Sequence, residues 1–152
     1  MDEIDRKLLV ALRANARATY AELARSVGLS APAVHERVGK LETSGVITGY
    51  HAAIAPEALG YSTNALIGLF INDSADSDDI AADLEAISEV EACWFVAGEE
   101  TFVVKVCVPV VHDLEAVIRA LNAVRGIART RTMVVLSTKF EDRLQPTDGT
   151  RG

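Results

Sequence analysis

Five residues between positions 30 and 40 could make hydrogen bonds or ion pairs with a nucleic acid: Ser30, His35, Glu36, Arg37 and Lys40. Pro32, whose apolar ring could contact the nucleic acid by packing, is a sixth candidate for the same surface. At 3.6 residues per turn, most of them lie on the side of a helix opposite an apolar stripe of Val34, Val38 and Leu41. Imidazole and carboxylate groups can hydrogen-bond to base edges, and lysine and arginine side chains bind phosphates. The spacing therefore predicts a helix whose outer face can enter a major groove.

The sequence alone does not decide the role of each of these residues. Arg37 lies on the flank of the predicted helix, where it could contact a phosphate or pair with an acid inside the protein. Lys40 lies on the outer face, where a phosphate contact is the better interpretation. His35 and Glu36 are candidates for base contacts, with Glu36 as an acceptor toward cytosine, although exposed helix positions are usually solvated.

The residues before this helix predict a helix-turn-helix. Thr19 and Glu22 have the spacing of a capping box, which begins a first helix. Gly28 follows at the point where the chain must turn. Ser30 then caps the second helix, and Pro32 is tolerated in its first turn. Two ordinary packed helices joined by a glycine turn would give the same pattern.

The first 45 residues are expected to form one DNA-binding domain of three helices. Residues 2–14 predict the first helix, which has an apolar face, and Gly45 is expected to cap the third helix at its C-terminal end. Residues 46–60 are β-rich at their start and are expected to form an extended linker or hinge, which could include a reduced wing. Residues 143–152 are expected to be a flexible tail.

The net charge of −7 argues against a nucleic-acid partner until its distribution is considered. Residues 6–40 hold seven basic and two acidic residues, whereas residues 61–152 hold eight basic and fifteen acidic residues. The excess of acidic residues therefore lies in the second half of the chain. A basic module joined to an acidic one is typical of a DNA reader attached to a domain that does not touch DNA.

Several classes of protein are not favoured by the sequence. No segment has the uninterrupted apolar length of a membrane span, and the acidic start is not that of a signal peptide, so we expect a cytoplasmic protein. Cys93 and Cys107 lie singly in apolar runs, where free buried thiols are expected. No catalytic triad, paired carboxylate or phosphate loop occurs, so we expect neither an enzyme nor a cofactor or metal.

Residues 61–142 predict a second domain with the order β-α-β-β-α-β, the ferredoxin-like split unit. The strands are expected at 65–71, 90–96, 101–108 and 128–139, and helices are expected around the apolar stripes of residues 80–87 and 114–121. The predicted fold class is therefore α+β, a three-helix (winged) helix-turn-helix domain followed by a ferredoxin-like domain.

The strand at 65–71 is apolar on both faces, with Leu66 and Phe70 on one and Ile67, Leu69 and Ile71 on the other. Two helices can cover only one face of a four-stranded sheet, and a face that meets water should be polar. A second copy packed face to face would bury the remaining face. The resulting homodimer would also supply the two recognition helices that twofold half-sites require.

The chain resembles the leucine-responsive/asparagine regulator family, also called feast/famine regulators. The resemblance covers residues 2–142 and rests on ordered motifs: D-x-x-D-x-x-L-L-x-x-L from Asp2, E-L-A-x-x-V-G-L-S from Glu22, R-V-x-K-L-E-x-x-G-V-I-x-G-Y from Arg37, V-x-G-E from Val96 and R-T-R-T-x-V-V-L from Arg129. It implies a sequence-specific transcriptional regulator of double-stranded DNA, dimers that join into tetramers or octamers, and control by an amino acid or related small metabolite.

The resemblance also implies an effector site at the turn after the second strand of the C-terminal domain. Carried over, its residues are Ala97, Gly98, Glu99, Glu100 and Thr101, with Thr130 and Thr132 of the last strand as hydroxyl partners. Backbone N–H groups at a glycine turn can hold a carboxylate, and a nearby acid can hold an ammonium group. Family members commonly have an aromatic residue and an aspartate where this chain has Glu100 and Thr101, which leaves the effector's identity open.

Two other functions are compatible with the same sequence. The altered turn fits an architectural DNA-binding protein without an effector. Some proteins that resemble this family decarboxylate tetrapyrroles, but a substrate with many carboxylates needs a basic, histidine-containing pocket. The second half of this chain is acidic, and His112 is its single histidine, so the enzyme is the weaker alternative.

Overall fold

The computed structural model describes residues 1–72 and 75–141. The described chain divides into two compact units, one of residues 1–53 and one of residues 54–141. The predicted flexible tail, residues 143–152, lies outside the described residues, as does residue 142.

The N-terminal unit is built from three helices: α1 (Glu3–Ala14), α2 (Tyr20–Val27) and α3 (Ala31–Thr43). The predicted caps are present. The Thr19 side chain accepts from the Glu22 N–H at 3.2 Å, and the Glu22 carboxylate accepts from the Thr19 N–H at 2.7 Å. The Ser30 hydroxyl accepts from the Ala33 N–H at 3.4 Å. The apolar stripes meet in a small core of buried side chains: Leu8, Leu12, Leu23, Ala24, Val34 and Val38.

Two glycines make the turns that end α2 and α3. Gly28 has φ 71° and Gly45 has φ 73°, the left-handed region that glycine adopts without a steric penalty. At Gly45 the Val46 N–H donates to the Leu41 carbonyl at 3.0 Å, and the Gly45 N–H donates to the Glu42 carbonyl at 3.0 Å. These two bonds are a Schellman motif, which satisfies carbonyls that the end of the helix leaves free.

The segment after α3 is predicted to be an extended linker that could include a reduced wing, but the structure contains no β-strand there. Residues 46–55 form neither strand nor helix, so the described part of the unit has no wing. A β-strand needs a neighbouring backbone to receive its N–H and C=O groups, and the three helices offer none. A short 3-10 helix at Pro56–Leu59 follows and ends at Gly60, which has φ 85°.

The C-terminal unit has the predicted ferredoxin-like order. Its elements are β1 (Thr63–Ile71), α4 (Ser77–Glu85), β2 (Val90–Phe95), β3 (Phe102–Val108), α5 (Leu114–Ala123) and β4 (Ile127–Val135). The sheet order is β2-β3-β1-β4, and every neighbouring pair is antiparallel. β4 ends at Val135, not at the predicted residue 139. Val135 pairs with Asn64, at the start of β1, so later residues have no β1 partner.

The two faces of the sheet differ as the alternation of side chains requires. One face packs against α4 and α5 and carries the buried residues Ala65, Ile67, Leu69, Phe102, Val104, Val106 and Val108. We call the other the open face; on it lie Leu66, Phe70, Trp94, Val103 and Met133. Cys93 is exposed, contrary to expectation, because β2 is an edge strand, and Cys107 is half-buried.

Candidate functional site

The outer face of α3 presents its polar side chains to solvent. Pro32, His35, Glu36 and Lys40 are exposed, on the side of the helix away from the buried Val34, Val38 and Leu41. Lys40 Nζ donates to Glu36 Oε1 at 2.6 Å one turn away, and both side chains are at least 70% exposed. An exposed pair of this kind is held weakly, so either group can exchange its partner for a phosphate or a base.

Arg37 has a different environment from Lys40. Its Nη1 atom lies 2.7 Å from Asp2 Oδ2 and 2.7 Å from Asp5 Oδ1, so the guanidinium joins the start of α1 to α3. The pKa values of both aspartates are lowered, first by the backbone N–H that each accepts from the other residue and then by Arg37. The sequence left two roles open for Arg37, a phosphate contact and an ion pair within the protein. The structure shows the ion pair within the protein.

Two tyrosines make contacts with residues of α3 that the spacing of residues in the sequence did not predict. The Tyr20 ring, at the start of α2, meets the His35 ring at 4.8 Å between centroids and 69° between planes. The Tyr50 hydroxyl donates to Glu42 Oε1 at 2.7 Å, and burial followed by this bond raises the pKa of Tyr50 to about 12. Both contacts join residues from separate segments, which a helical periodicity does not reveal.

The predicted effector turn joins β2 to β3 and is fixed by its backbone. The Val96 N–H donates to the Thr101 carbonyl at 3.0 Å, and the Thr101 N–H donates to the Leu69 carbonyl of β1 at 2.9 Å. Ala97, Gly98 and Glu99 are exposed within this turn. The turn is therefore an exposed loop held at its base by one hydrogen bond across the turn and one to β1.

Glu100 extends from this turn across the open face. Its side chain is only 13% exposed and forms an ion pair with Arg131 of β4. A Cβ atom at Gly68 would lie 2.6 Å from Glu100 Cγ, so glycine is what leaves room for the carboxylate. Arg131 is directly opposite Gly68 in the sheet. The alternation Arg129-Thr130-Arg131-Thr132 was the available signal that arginines and threonines point to opposite faces.

Thr130 and Thr132 do not lie with Glu100. Their partners on β1 are Leu69 and Ile67, which face the helices. Asn122 Nδ2 of α5 donates to Thr130 Oγ1 at 3.3 Å. The structure thus brings Glu100 and Arg131 together on the open face and puts both threonines on the other side of the sheet, and their effector role stays a prediction.

The open face combines apolar and charged groups. The Arg129 guanidinium lies 3.6 Å from the centroid of the Phe70 ring, a cation–π contact. Lys105 Nζ lies 3.1 Å from Glu91 Oε2 and 2.7 Å from Glu141 Oε1. Trp94 is 47% exposed and Met133 is 45% exposed. Large apolar side chains thus reach solvent between paired charges.

Neither a metal site nor a membrane span is present in the described part of the chain. Over residues 1–72 and 75–141, no cluster of three histidine, cysteine or acidic side chains could hold a metal ion. Within those residues, no helix is long and apolar enough to cross a bilayer.

Comparison with known proteins gives matches over both units. Residues 1–42 match the AsnC-type helix-turn-helix domain, and residues 64–145 match the Lrp/AsnC ligand binding domain. The HTH-type transcriptional regulator LrpA of Mycobacterium tuberculosis is 43% identical over 143 residues, which cover 94% of this chain and 95% of that protein. The regulatory protein AsnC of Escherichia coli K12 is 33% identical over 147 residues, covering 96% and 97%.

Two solved structures extend this similarity to the fold. A feast or famine regulatory protein from M. tuberculosis, complexed with L-methionine, has a TM-score of 0.90 and 42% identity, with 96% of this chain and 99% of that chain covered. E. coli AsnC has a TM-score of 0.86 and 32% identity, with 95% and 97% covered.

Proposed function

The chain belongs to the Lrp/AsnC family of helix-turn-helix transcriptional regulators, and from this premise we propose that α3 reads DNA and that the C-terminal unit binds an amino acid. The observation that supports DNA reading most directly is the outer face of α3, where His35, Glu36 and Lys40 are exposed above a buried stripe. Ser30 and Pro32 complete the proposed contact surface at the start of the helix.

Selection of DNA duplexes from a random library by the full-length chain tests this function. We expect a motif to be enriched over successive rounds, because base-edge contacts distinguish the four base pairs in a major groove. Recovery of duplexes without a common motif would contradict sequence-specific reading.

The proposed effector site is the turn of Ala97, Gly98, Glu99, Glu100 and Thr101 together with Arg131. The Glu100 carboxylate and the Arg131 guanidinium meet on one face of the sheet. Their charges complement the ammonium and carboxylate groups of an amino acid, provided that the ligand opens their ion pair. A related regulator of known structure is complexed with L-methionine, which makes that amino acid the first to test.

Glu100→Gln is the variant that tests this site. A ligand that binds only the folded state raises the melting temperature of the protein. L-methionine and the other common amino acids can therefore be screened by thermal shift. We expect a stabilising amino acid for the unmodified chain and a smaller stabilisation of Glu100→Gln. Glu115→Gln, which removes an exposed carboxylate of α5 outside the proposed site, is the control. Equal stabilisation of both variants and the unmodified chain would remove Glu100 from the site.

An architectural DNA-binding protein without an effector is the second candidate. It is favoured by the ion pair of Glu100 with Arg131, because the two groups already satisfy each other's charge. A thermal-shift screen in which no amino acid stabilises the chain, alongside normal DNA selection, would favour this candidate.

We also propose that the chain works in the cytoplasm as a homodimer that associates further into tetramers or octamers. The apolar side chains of the open face support self-association, because such a surface is usually covered by a partner. Sedimentation velocity of the full-length chain over a range of concentrations distinguishes these assemblies from a monomer.

A further inference from the structure

The aromatic contact between Tyr20 and His35 joins the first residue of α2 to the outer face of α3. We propose that Tyr20 is a positioning residue that holds the His35 imidazole in the orientation that reads a base. This inference rests on the proposed function, since it requires α3 to contact DNA. It adds a determinant of sequence selectivity that lies outside the recognition helix.

Tyr20 is suited to this role because its backbone is fixed. It follows Thr19 directly, whose N–H and hydroxyl both donate to Glu22 Oε2, at 2.7 Å and 2.9 Å. The capping box therefore sets the position from which the Tyr20 side chain leaves α2. The Tyr20 residue is 39% exposed, so one side of its ring packs while the rest faces solvent.

His35 is the group that gains from the contact. It is exposed on α3, and an exposed side chain on a helix ordinarily samples more than one rotamer. A centroid separation of 4.8 Å and an interplanar angle of 69° form an edge-to-face pair, which favours one arrangement of the two rings. An imidazole ordered before binding loses less conformational freedom when it contacts a base.

The neighbouring charges on α3 are ordered separately. Glu36 and Lys40 pair with each other at 2.6 Å, one turn along the same face. When DNA binds, Lys40 acts on phosphates through its charge, which carries no sequence information by itself. The Tyr20–His35 contact orients a ring and supplies no phosphate-binding charge, so its contribution should appear in selectivity and not in general affinity for DNA.

The experiment compares affinities for a duplex selected from a random library with those for a scrambled duplex of equal length. For Tyr20→Leu we expect about a fivefold loss on the selected duplex, the size of one aromatic pair contact, and no change on the scrambled duplex. Tyr20→Phe should bind like the unmodified chain because it keeps the ring. Tyr61→Leu is a matched control, since Tyr61 is 41% exposed and lies in the C-terminal unit.

Positioning through His35 is tested by combining substitutions. In a His35→Ala background, Tyr20→Leu should cause no further loss, because the group that Tyr20 orients is already absent. Independent, multiplicative losses would overturn the proposal, as would unchanged selectivity of Tyr20→Leu. An equal loss for Tyr20→Phe and Tyr20→Leu on both duplexes would also overturn it, because that result indicates a direct contact of the tyrosine hydroxyl with DNA.

Two further measurements keep the result interpretable. Circular dichroism melting shows whether each variant is folded, and Tyr20→Met, whose flexible apolar side chain adapts to its surroundings, replaces Tyr20→Leu if that variant unfolds. The selectivity of Tyr20→Met, and any further loss that it causes in the His35→Ala background, then decide the proposal in the same way. If the unmodified chain does not distinguish the selected duplex from the scrambled one, the proposed function itself fails, and this is seen before any variant is measured.

Discussion

Arg37 and Lys40 show how two basic residues on one helix can have different roles. Lys40 is largely exposed and pairs weakly along the helix with Glu36. Arg37 is only 32% exposed and is engaged by two aspartates, Asp2 at the N-cap of α1 and Asp5 within it. The sequence could not separate these cases, because the partners of Arg37 lie 35 and 32 positions away in the chain. We therefore propose that Lys40 contributes general DNA affinity and that Arg37 stabilises the packing of α1 and α3.

Removal of the Lys40 charge should weaken binding to all DNA sequences by a similar factor. We expect Lys40→Gln to reduce the slope of log affinity against log salt by about 1, the value for one lost phosphate contact. Fluorescence anisotropy across a salt series measures this slope. Lys7→Gln is the control, because Lys7 forms the same kind of exposed pair, with Glu3 at 2.9 Å, on α1. Identical slopes for the two variants would refute the role of Lys40.

The backbone hydrogen bonds that Asp2 and Asp5 accept from each other, together with their ion pairs to Arg37, should make folding of the N-terminal unit depend on pH. The pKa values of Asp2 and Asp5 are lowered below 3.8, so their contribution is present above that value and is lost as the pH falls through the folded-state pKa values. Asp5→Asn should therefore melt below the unmodified chain at neutral pH, and the difference should shrink in acid below about pH 4.

Thermal melts followed by circular dichroism between neutral pH and about pH 2 measure this dependence. Glu3→Gln is the control, because the Glu3–Lys7 pair is exposed and such pairs contribute little to stability. A constant difference between Asp5→Asn and the unmodified chain over the whole range would argue against the ionised carboxylate of Asp5 as its cause.

At the scale of elements, the local signals in the sequence predicted the helices well. Capping residues and apolar periodicity placed α1, α2 and α3, because a cap acts within a few residues of itself. The possible wing after α3 is absent from the described residues, and the far end of β4 was predicted wrongly. Strand boundaries depend on the partner strand, which local propensity does not contain.

The candidate site was also predictable only where local patterns determine it. The exposed positions of α3 follow from helical spacing, and the turn at 97–101 follows from the hairpin pattern. The pairing of Glu100 with Arg131 needed the register of β1 with β4, and the contact of Tyr20 with His35 needed the packing of two helices. Both are tertiary relations between residues that no short motif connects.

Two glycines in the helix-turn-helix should respond to alanine with opposite signs. Gly28 has φ 71° and no atom within 4 Å of the point where an added Cβ would lie, so Gly28→Ala should destabilise the unit through backbone strain alone, by about 1 kcal/mol. Gly39 lies inside α3, also with nothing within 4 Å, so Gly39→Ala should stabilise it by about 0.5–1 kcal/mol. Urea unfolding measures both, and equal signs would contradict the assigned conformations.

At the scale of the whole chain, charge and apolar surface are distributed by unit. Residues 6–40 hold seven basic and two acidic residues, whereas the acidic residues lie mainly in the second half of the chain. The open face of the sheet offers Leu66, Phe70 and Trp94 for a partner. A homodimer formed through this face would supply two recognition helices, and two half-sites of DNA would then be bound by one assembly.

A charge on the open face should weaken this assembly. We expect Leu66→Glu to shift the chain toward monomer in sedimentation velocity, because burying an unpaired carboxylate is unfavourable. Ala120→Glu, on the exposed side of α5, is the control and should sediment like the unmodified chain. Unchanged sedimentation of Leu66→Glu would place the dimer contact elsewhere.

The ratio of affinities for a selected and a scrambled duplex tests the central claim most directly. It is measured with the full-length unmodified chain at physiological salt, where charge alone gives only weak, sequence-independent binding. A sequence-specific regulator that reads bases through α3 should prefer the selected duplex by about a thousandfold or more. Equal affinity for the two duplexes would contradict the assignment of α3 as a recognition helix.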